Sequence, residues 1–217
     1  MTLSTAMMVR MNKTAPSYRD SPPRLIAGAL SLDFVNTVEW RSDPARRMER
    51  LVDYGELLLW SLAAGLLDEA GGRRRLAEAE ARPAVAAGVV EQAIAARETL
   101  VTLLEGAADS RALSDFDTLL RRIPAGAALA VQGHGYAWRY DGGDRLADPL
   151  WPVLWDAAAL LTSANLQRLG RCDDEHCGWF FLDHSRNRSR RWCAMEDCGN
   201  RAKARRHYAR LKTSGKG

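Results

Sequence analysis

No apolar run in this 217-residue chain reaches the roughly 18–20 residues that a membrane-spanning helix requires. The opening stretch, MTLSTAMMVRMNKTAPSYRDSPPR, lacks the uninterrupted apolar centre of a secretory signal. These two absences predict a cytoplasmic protein with no membrane partner, in a compartment where thiols stay reduced. Residues 1–22 read as a flexible leader. No internal repeat or low-complexity tract is present. Patterns of the G-x-S-x-G, Walker and dinucleotide-binding types are missing, and His134, set between glycines, has no visible nucleophile partner. The expectation is that the protein is not an enzyme. Cysteine is absent before residue 172. Acidic residues are scarce at the other end, where His184 to Gly217 holds 11 Lys or Arg against two Asp or Glu.

What is present suffices for a large core: 47 % of residues are hydrophobic, with seven tryptophans. Residues 25–40, LIAGALSLDFVNTVEW, read as a strand or short helix entering that core, followed by a turn at RSDP. Residues 51–69 carry apolar positions at helical spacing, broken into two helices at Gly65, the second running to Pro83. Residues 84–105 form the clearest amphipathic helix, with Val85, Val89, Ala96, Leu100, Leu103 and Leu104 on one side. A further helix fits ALSDFDTLLRRI, with Ser114 or Asp115 as its cap. The alternating, glycine-punctuated ALAVQGHGYAWRYDGGDRL predicts a β-hairpin, and a long helix follows from Leu150 to about Gln167, ending before Gly170. The expected fold is α+β: a mostly helical N-terminal domain with a small sheet over residues 23–170, then a zinc-ribbon-like module over residues 171–217 ending in a basic helix. Asp33, Asn36 and Trp40 are the most suggestive polar set in the first domain. They line a ligand pocket, or else serve only capping and backbone hydrogen bonds.

The four cysteines form two pairs, C-D-D-E-H-C (Cys172, Cys177) and C-A-M-E-D-C (Cys193, Cys198), joined by one loop. Two short-range thiol pairs that a loop can bring together suit a closed, tetrahedral, all-cysteine zinc site. A disulfide is disfavoured where thiols are reduced, and a redox dithiol normally has two residues between its cysteines. Four thiolates leave no open coordination position, so one structural zinc is expected, with His176 and His184 outside its shell. Gly178 and Gly199 follow the second cysteine of each pair and would relieve the tight turns there.

The positive charge sits beside this site. Residues 171–217 hold 12 Lys or Arg and 6 Asp or Glu, and such localised charge points to a polyanion. Arg186, Arg188, Arg190 and Arg191 in the loop, with Arg201, Lys203, Arg205, Arg206 and Arg210 in the terminal helix, are the candidate nucleic-acid contacts. Helical spacing places Ala204, Tyr208 and Leu211 on a stripe that docks against the zinc loops, and Ala202 and Ala209 on a small-residue floor between cationic flanks. Trp179, Phe180, Phe181 and Trp192 serve as the small module's core or as base-stacking surfaces.

The run from Cys177 to Arg210 resembles the CGNR zinc finger, whose signature Cys-Gly-Asn-Arg stands here at Cys198 to Arg201. The cysteine spacing, the F-x-D-x-S-x-N run at Phe181, Asp183, Ser185 and Asn187, and the R-R-W-C before Cys193 all agree. Leu30 to Thr37, Ala63 to Leu67 and Arg97 to Leu100 are similar to segments of the ABATE domain, a family described as stress-induced transcription regulators. The resemblance implies a bacterial regulator that binds nucleic acid, DNA ahead of RNA. A small-molecule effector and a homodimer are both compatible with it.

Overall fold

The computed structural model describes residues 15–106, 109–123, 127–132, 135–140 and 146–214. Its first half is built around α1 (Leu30–Val35), a six-residue helix of which Leu32, Phe34 and Val35 are buried. Ala29 offers no side-chain cap. Asp156, from a distant helix, accepts from the Ser31 amide (2.7 Å) and hydroxyl (2.5 Å) instead. One orphan donor of the helix start is thus satisfied by a tertiary contact. Residues 25–40 therefore resolve as a short helix. It is followed by β1 (Val38–Glu39), which pairs antiparallel with β2 (Met48–Glu49) across the RSDP turn.

Helix α2 (Tyr54–Ala63) starts where Asp53 accepts from the Glu56 amide, and α3 (Glu69–Ala81) where Asp68 accepts from the Gly71 amide. Gly65, at φ 71°, separates them as the sequence predicts. Helix α4 (Pro83–Leu104) has proline in its first turn, which needs no donor there. Helix α5 (Ser110–Leu120) starts four residues earlier than Ser114, because Asp109 accepts from the Arg111 and Ala112 amides. Strands β3 (Ala127–Gln132) and β4 (Gly135–Tyr140) pair antiparallel in the expected hairpin. His134 and the glycines at 133, 142 and 143 lie outside the described residues. Helix α6 (Leu150–Leu161) is shorter than its sequence pattern suggests. The Ser163 hydroxyl accepts from the Asn165 amide and starts a separate 3-10 turn over Ala164–Arg168.

Among the described residues, then, the chain has seven α-helices and three two-stranded sheets, and the α+β expectation holds. Helix α1 lies at the centre, packed against α4 and α6 and against a strand contributed by the cysteine region. Phe34 meets the buried Trp60 edge-on at 5.2 Å. The chain before α1 is also built in. Tyr18, within the expected leader, is only 6 % exposed, its amide donates to Glu56, and its ring lies under the Arg50 guanidinium.

Periodicity gives no hint of Arg97. It sits on the apolar side of α4 at 0 % exposure. Glu49 of β2 accepts from both its terminal nitrogens (2.7 and 2.6 Å), while Thr37 and Glu98 take further bonds. Burial alone would lower the pKa of Arg97, but these carboxylates hold it above its ordinary value. Arg41 and Arg50 are tied similarly, to Glu98 and Glu39. Removing one partner of such a pair strands a buried charge. Arg97→Ala should therefore lower the unfolding free energy by about 3–5 kcal/mol in chemical denaturation. Arg73→Ala, on an exposed helix face, should change it by no more than about 0.5 kcal/mol.

Candidate metal centre and nucleic-acid interface

The cysteine region is built on β5 (Leu169–Arg171) and β6 (Phe180–Leu182), an antiparallel pair in which Gly170 faces Phe181. Gly170 is thus a strand residue rather than a helix end, and a side chain there would meet the Phe181 ring. In the first knuckle, the Cys177 amide donates to the Asp174 carbonyl and the Cys172 amide to the Trp179 carbonyl. Gly178 holds φ 71°, and a Cβ there would collide with Ser42 of the N-terminal domain. The second knuckle is a π-type turn over Met195–Gly199. Gly199 needs no special φ, contrary to the turn-relief role expected for it. Its place is tight instead: a side chain there would have to displace the flexible end of Met195 and would press on Trp192. The Asp173 amide donates to the Arg191 carbonyl and ties the two knuckles together.

The four cysteine sulfurs are buried and lie within 4.8 Å of one another, with Cys177–Cys193 at 3.6 Å and Cys193–Cys198 at 3.4 Å. A zinc ion bonded to four sulfurs at about 2.3 Å has sulfur–sulfur edges of about 3.8 Å, so the donor set fits one structural zinc with a closed shell. Without a cation, the neighbouring cysteine sulfurs, Cys172 first, and burial push the Cys177 thiol pKa up. The Arg201 guanidinium donates to the Cys198 sulfur at 2.8 Å and to Asp174 at 3.2 Å. Arg191 pairs with Asp173 at 2.6 Å.

The centre is bound tightly to the N-terminal domain. The Asn36 side-chain amide donates to the Phe180 carbonyl and accepts from the Phe180 amide, both at 2.9 Å, in the manner of a strand neighbour. Trp179 Nε1 donates to the Val38 carbonyl, the Arg41 amide to the Cys177 carbonyl, and the Leu182 amide to the Ala27 carbonyl. Phe180 and Leu182 belong to the main core, whereas Phe181, Trp179 and Trp192 surround the cysteines. Asp33 accepts from the Ala27 amide, and burial, opposed by amides of Ala27 and Ile26, raises its pKa to about 6. Asp33 and Asn36 line a cavity of about 100 Å³. Trp40 lines a neighbouring cleft of about 170 Å³, its ring between the guanidiniums of Arg46 (3.6 Å) and Arg201 (4.7 Å). Trp40 also holds φ 53°, a left-handed conformation uncommon for an indole residue.

The candidate cations divide into two sets. Arg190 donates to the carbonyls of Ile26, Leu182, Trp192 and Cys193 and stacks on Phe181, so its guanidinium is occupied. Arg201 is committed to Cys198, Asp174 and Trp40, and Arg205 reaches Asp174 at 3.4 Å. Arg186 and Arg188 are exposed and pair with no carboxylate among the described residues. Lys203, Arg206 and Arg210 are exposed along α7 (Asn200–Ser214). This helix is turned differently from the expected arrangement. Ala202 is buried, while Ala204 is exposed, as are Tyr208 (64 %) and Leu211 (55 %). The stripe predicted to dock points to solvent, because the helix buries Ala202 in its first turn and reaches Asp174 through Arg201 and Arg205, which turns the Ala204, Tyr208 and Leu211 side outward.

Zinc removal should therefore act on the whole chain. The purified protein should contain one zinc per chain. Chelation, or Cys198→Ser, should lower the thermal midpoint of the single main transition, because β6 is part of the shared core. An N-terminal transition unchanged by chelation would show that the centre stabilises only itself.

Comparison with known families agrees with this geometry. The CGNR zinc finger model matches residues 168–211, starting just before β5. The ABATE model, described as "Putative stress-induced transcription regulator", matches residues 28–164. No curated protein matches the chain. Since the second match spans well over half of the sequence and the first takes in all four cysteines, the protein belongs to the ABATE family and carries a CGNR zinc finger at its C-terminal end.

Proposed function

We propose that this protein is a transcription regulator that binds duplex DNA through its zinc finger, with the N-terminal domain as sensor. The observation that carries this reading is the bareness of α7. From Lys203 to Leu211 every residue is exposed. An α-helix with its side chains is about 10–12 Å across, and the major groove of B-DNA is about 12 Å wide, so a projecting cationic helix fits it. The deep, narrow major groove of A-form RNA does not admit such a helix, which favours DNA. Lys203, Arg206 and Arg210 supply phosphate contacts along the helix. Arg186 and Arg188 supply them from the adjoining loop, whose exposed guanidiniums suit bidentate phosphate binding. The sensor role is supported by direct packing: Asn36 holds β6, and Trp40 stacks on the arginine that donates to a zinc-ligand sulfur.

Binding to duplex DNA should weaken with salt, with a log–log slope of about −0.9 per phosphate contacted. Arg188→Ala and Arg206→Ala should each weaken binding and flatten the slope by about one contact, leaving thermal stability near that of the parent. Arg190→Ala should instead lower stability, since it deprives four carbonyls of a donor. Titration of the zinc-loaded protein over a salt series checks both expectations. Salt-independent binding, or no binding, would refute the proposal.

A further inference from the structure

The DNA-binding reading leaves one feature of the finger unused: a groove of about 540 Å³ between the arginine loop and the second knuckle. Its lining includes Ile26, Ser189, Arg191, Trp192, Met195 and Glu196. Its volume is in the usual range for sites that take small organic groups, roughly 300–1,000 Å³. Trp192 is half-buried, so part of its indole is fixed by packing beside Gly199 while the remainder lines the groove. Met195 adds a polarisable thioether that is 49 % exposed. The Arg191 guanidinium lies over the Trp192 ring, 5.1 Å from its centre and held by Asp173 at 2.6 Å, and so adds positive charge and a planar group on one face of the indole. Ser189 places a hydroxyl in the same lining, and the Glu196 carboxylate there is paired with Arg24 at 2.9 Å.

An indole wall, a fixed cation over it and a hydroxyl suit a heteroaromatic ring carried on an anionic backbone. The backbone's charge has a place to go, because Arg186 and Arg188 stand free on the loop that leads into the groove. Glu196 of the lining lies four residues before the first residue of α7, so the groove adjoins the start of the helix proposed to bind DNA. A base inside a duplex is covered on both faces by its neighbours and cannot reach a wall recessed in the protein. The occupant must be unpaired.

We propose that the finger has a second nucleic-acid subsite in which an unpaired base stacks on Trp192, beside the helix that addresses the duplex. This rests on the reading that the finger binds nucleic acid, and it adds that single-stranded or locally opened DNA engages Trp192 as well as the loop arginines it shares with duplex DNA. Stacking of one base on an aromatic side chain is sequence-tolerant, so a simple oligothymidylate is an adequate probe.

The test uses the zinc-loaded full chain, a labelled oligothymidylate and a labelled blunt duplex. Trp192→Leu should weaken binding of the single strand roughly ten-fold or more, and of the duplex by less than about two-fold. Trp192→Phe, which keeps an aromatic face, should restore most of the single-strand affinity. Unchanged single-strand binding by Trp192→Leu, or equal loss on both probes, overturns the subsite. Should Trp192→Leu lose its zinc, photocrosslinking of the parent protein to an iodouracil-substituted oligothymidylate decides the matter. A crosslink at Trp192 supports the subsite, and crosslinks confined to other residues overturn it. A parent protein that binds duplex but not single strand overturns this inference and leaves the DNA-binding proposal standing, whereas failure to bind either probe refutes both.

Discussion

Four sulfurs held within 4.8 Å of each other in a buried site form an arrangement that thiolates cannot sustain alone. Mutual repulsion and desolvation oppose their ionisation, and only a cation with tetrahedral preference makes the cluster favourable. The rest of the C-terminal architecture follows from that requirement. The first knuckle sets the direction of β6, the second sets the start of α7, and Arg201 links the Cys198 sulfur to Asp174 and Trp40. The metal thus shapes more than a finger. It also orients the strand that completes the main core and the helix that projects from it.

The finger and the N-terminal domain share an interior rather than meeting across a solvated boundary. Asn36 gives Phe180 both bonds that a neighbouring strand would give, and Phe180 and Leu182 pack with residues of α1 and α6. Two consequences follow. A module too small to bury its own core is stabilised by docking as well as by metal. A change in the N-terminal domain at Asn36 or Trp40 also acts directly on the strand and the arginine nearest the zinc, with no flexible linker to absorb it.

Arginine plays two opposed roles in this chain. Arg97, Arg41, Arg50 and Arg190 are structural cations whose nitrogens are consumed by buried carboxylates and carbonyls. Arg186, Arg188 and Arg206 are presented outward. Counting charge therefore overstates the surface available to a polyanion. Within the finger, the exposed cations among the described residues lie on one loop and on α7, which suits a groove-entering helix flanked by phosphate contacts.

The zinc ligands were legible from sequence because ligand geometry is largely local. Two pairs of thiols, each with four residues between, already dictate two knuckles. Helices α2, α3 and α4 and the β3–β4 hairpin were legible for a similar reason, since periodicity and turn residues act over a few positions. The reach of α6, the burial of Arg97 and the rotation of α7 were not. The end of α6 depends on a serine side chain starting a new turn. Arg97 falls on the apolar side of α4 by spacing, but its charge can be buried there only because Glu49, far along the chain, meets it. Spacing also assigned Ala204, Tyr208 and Leu211 to the docked face of α7, but that face is chosen by what Ala202 and Arg201 find on the zinc knuckles. The amino-acid order determined which groups bind metal and where positive charge accumulates. Only the tertiary structure decided which of those charges remain free and that the finger shares a core with its neighbour, because both depend on contacts such as Asn36 with Phe180, 144 residues apart.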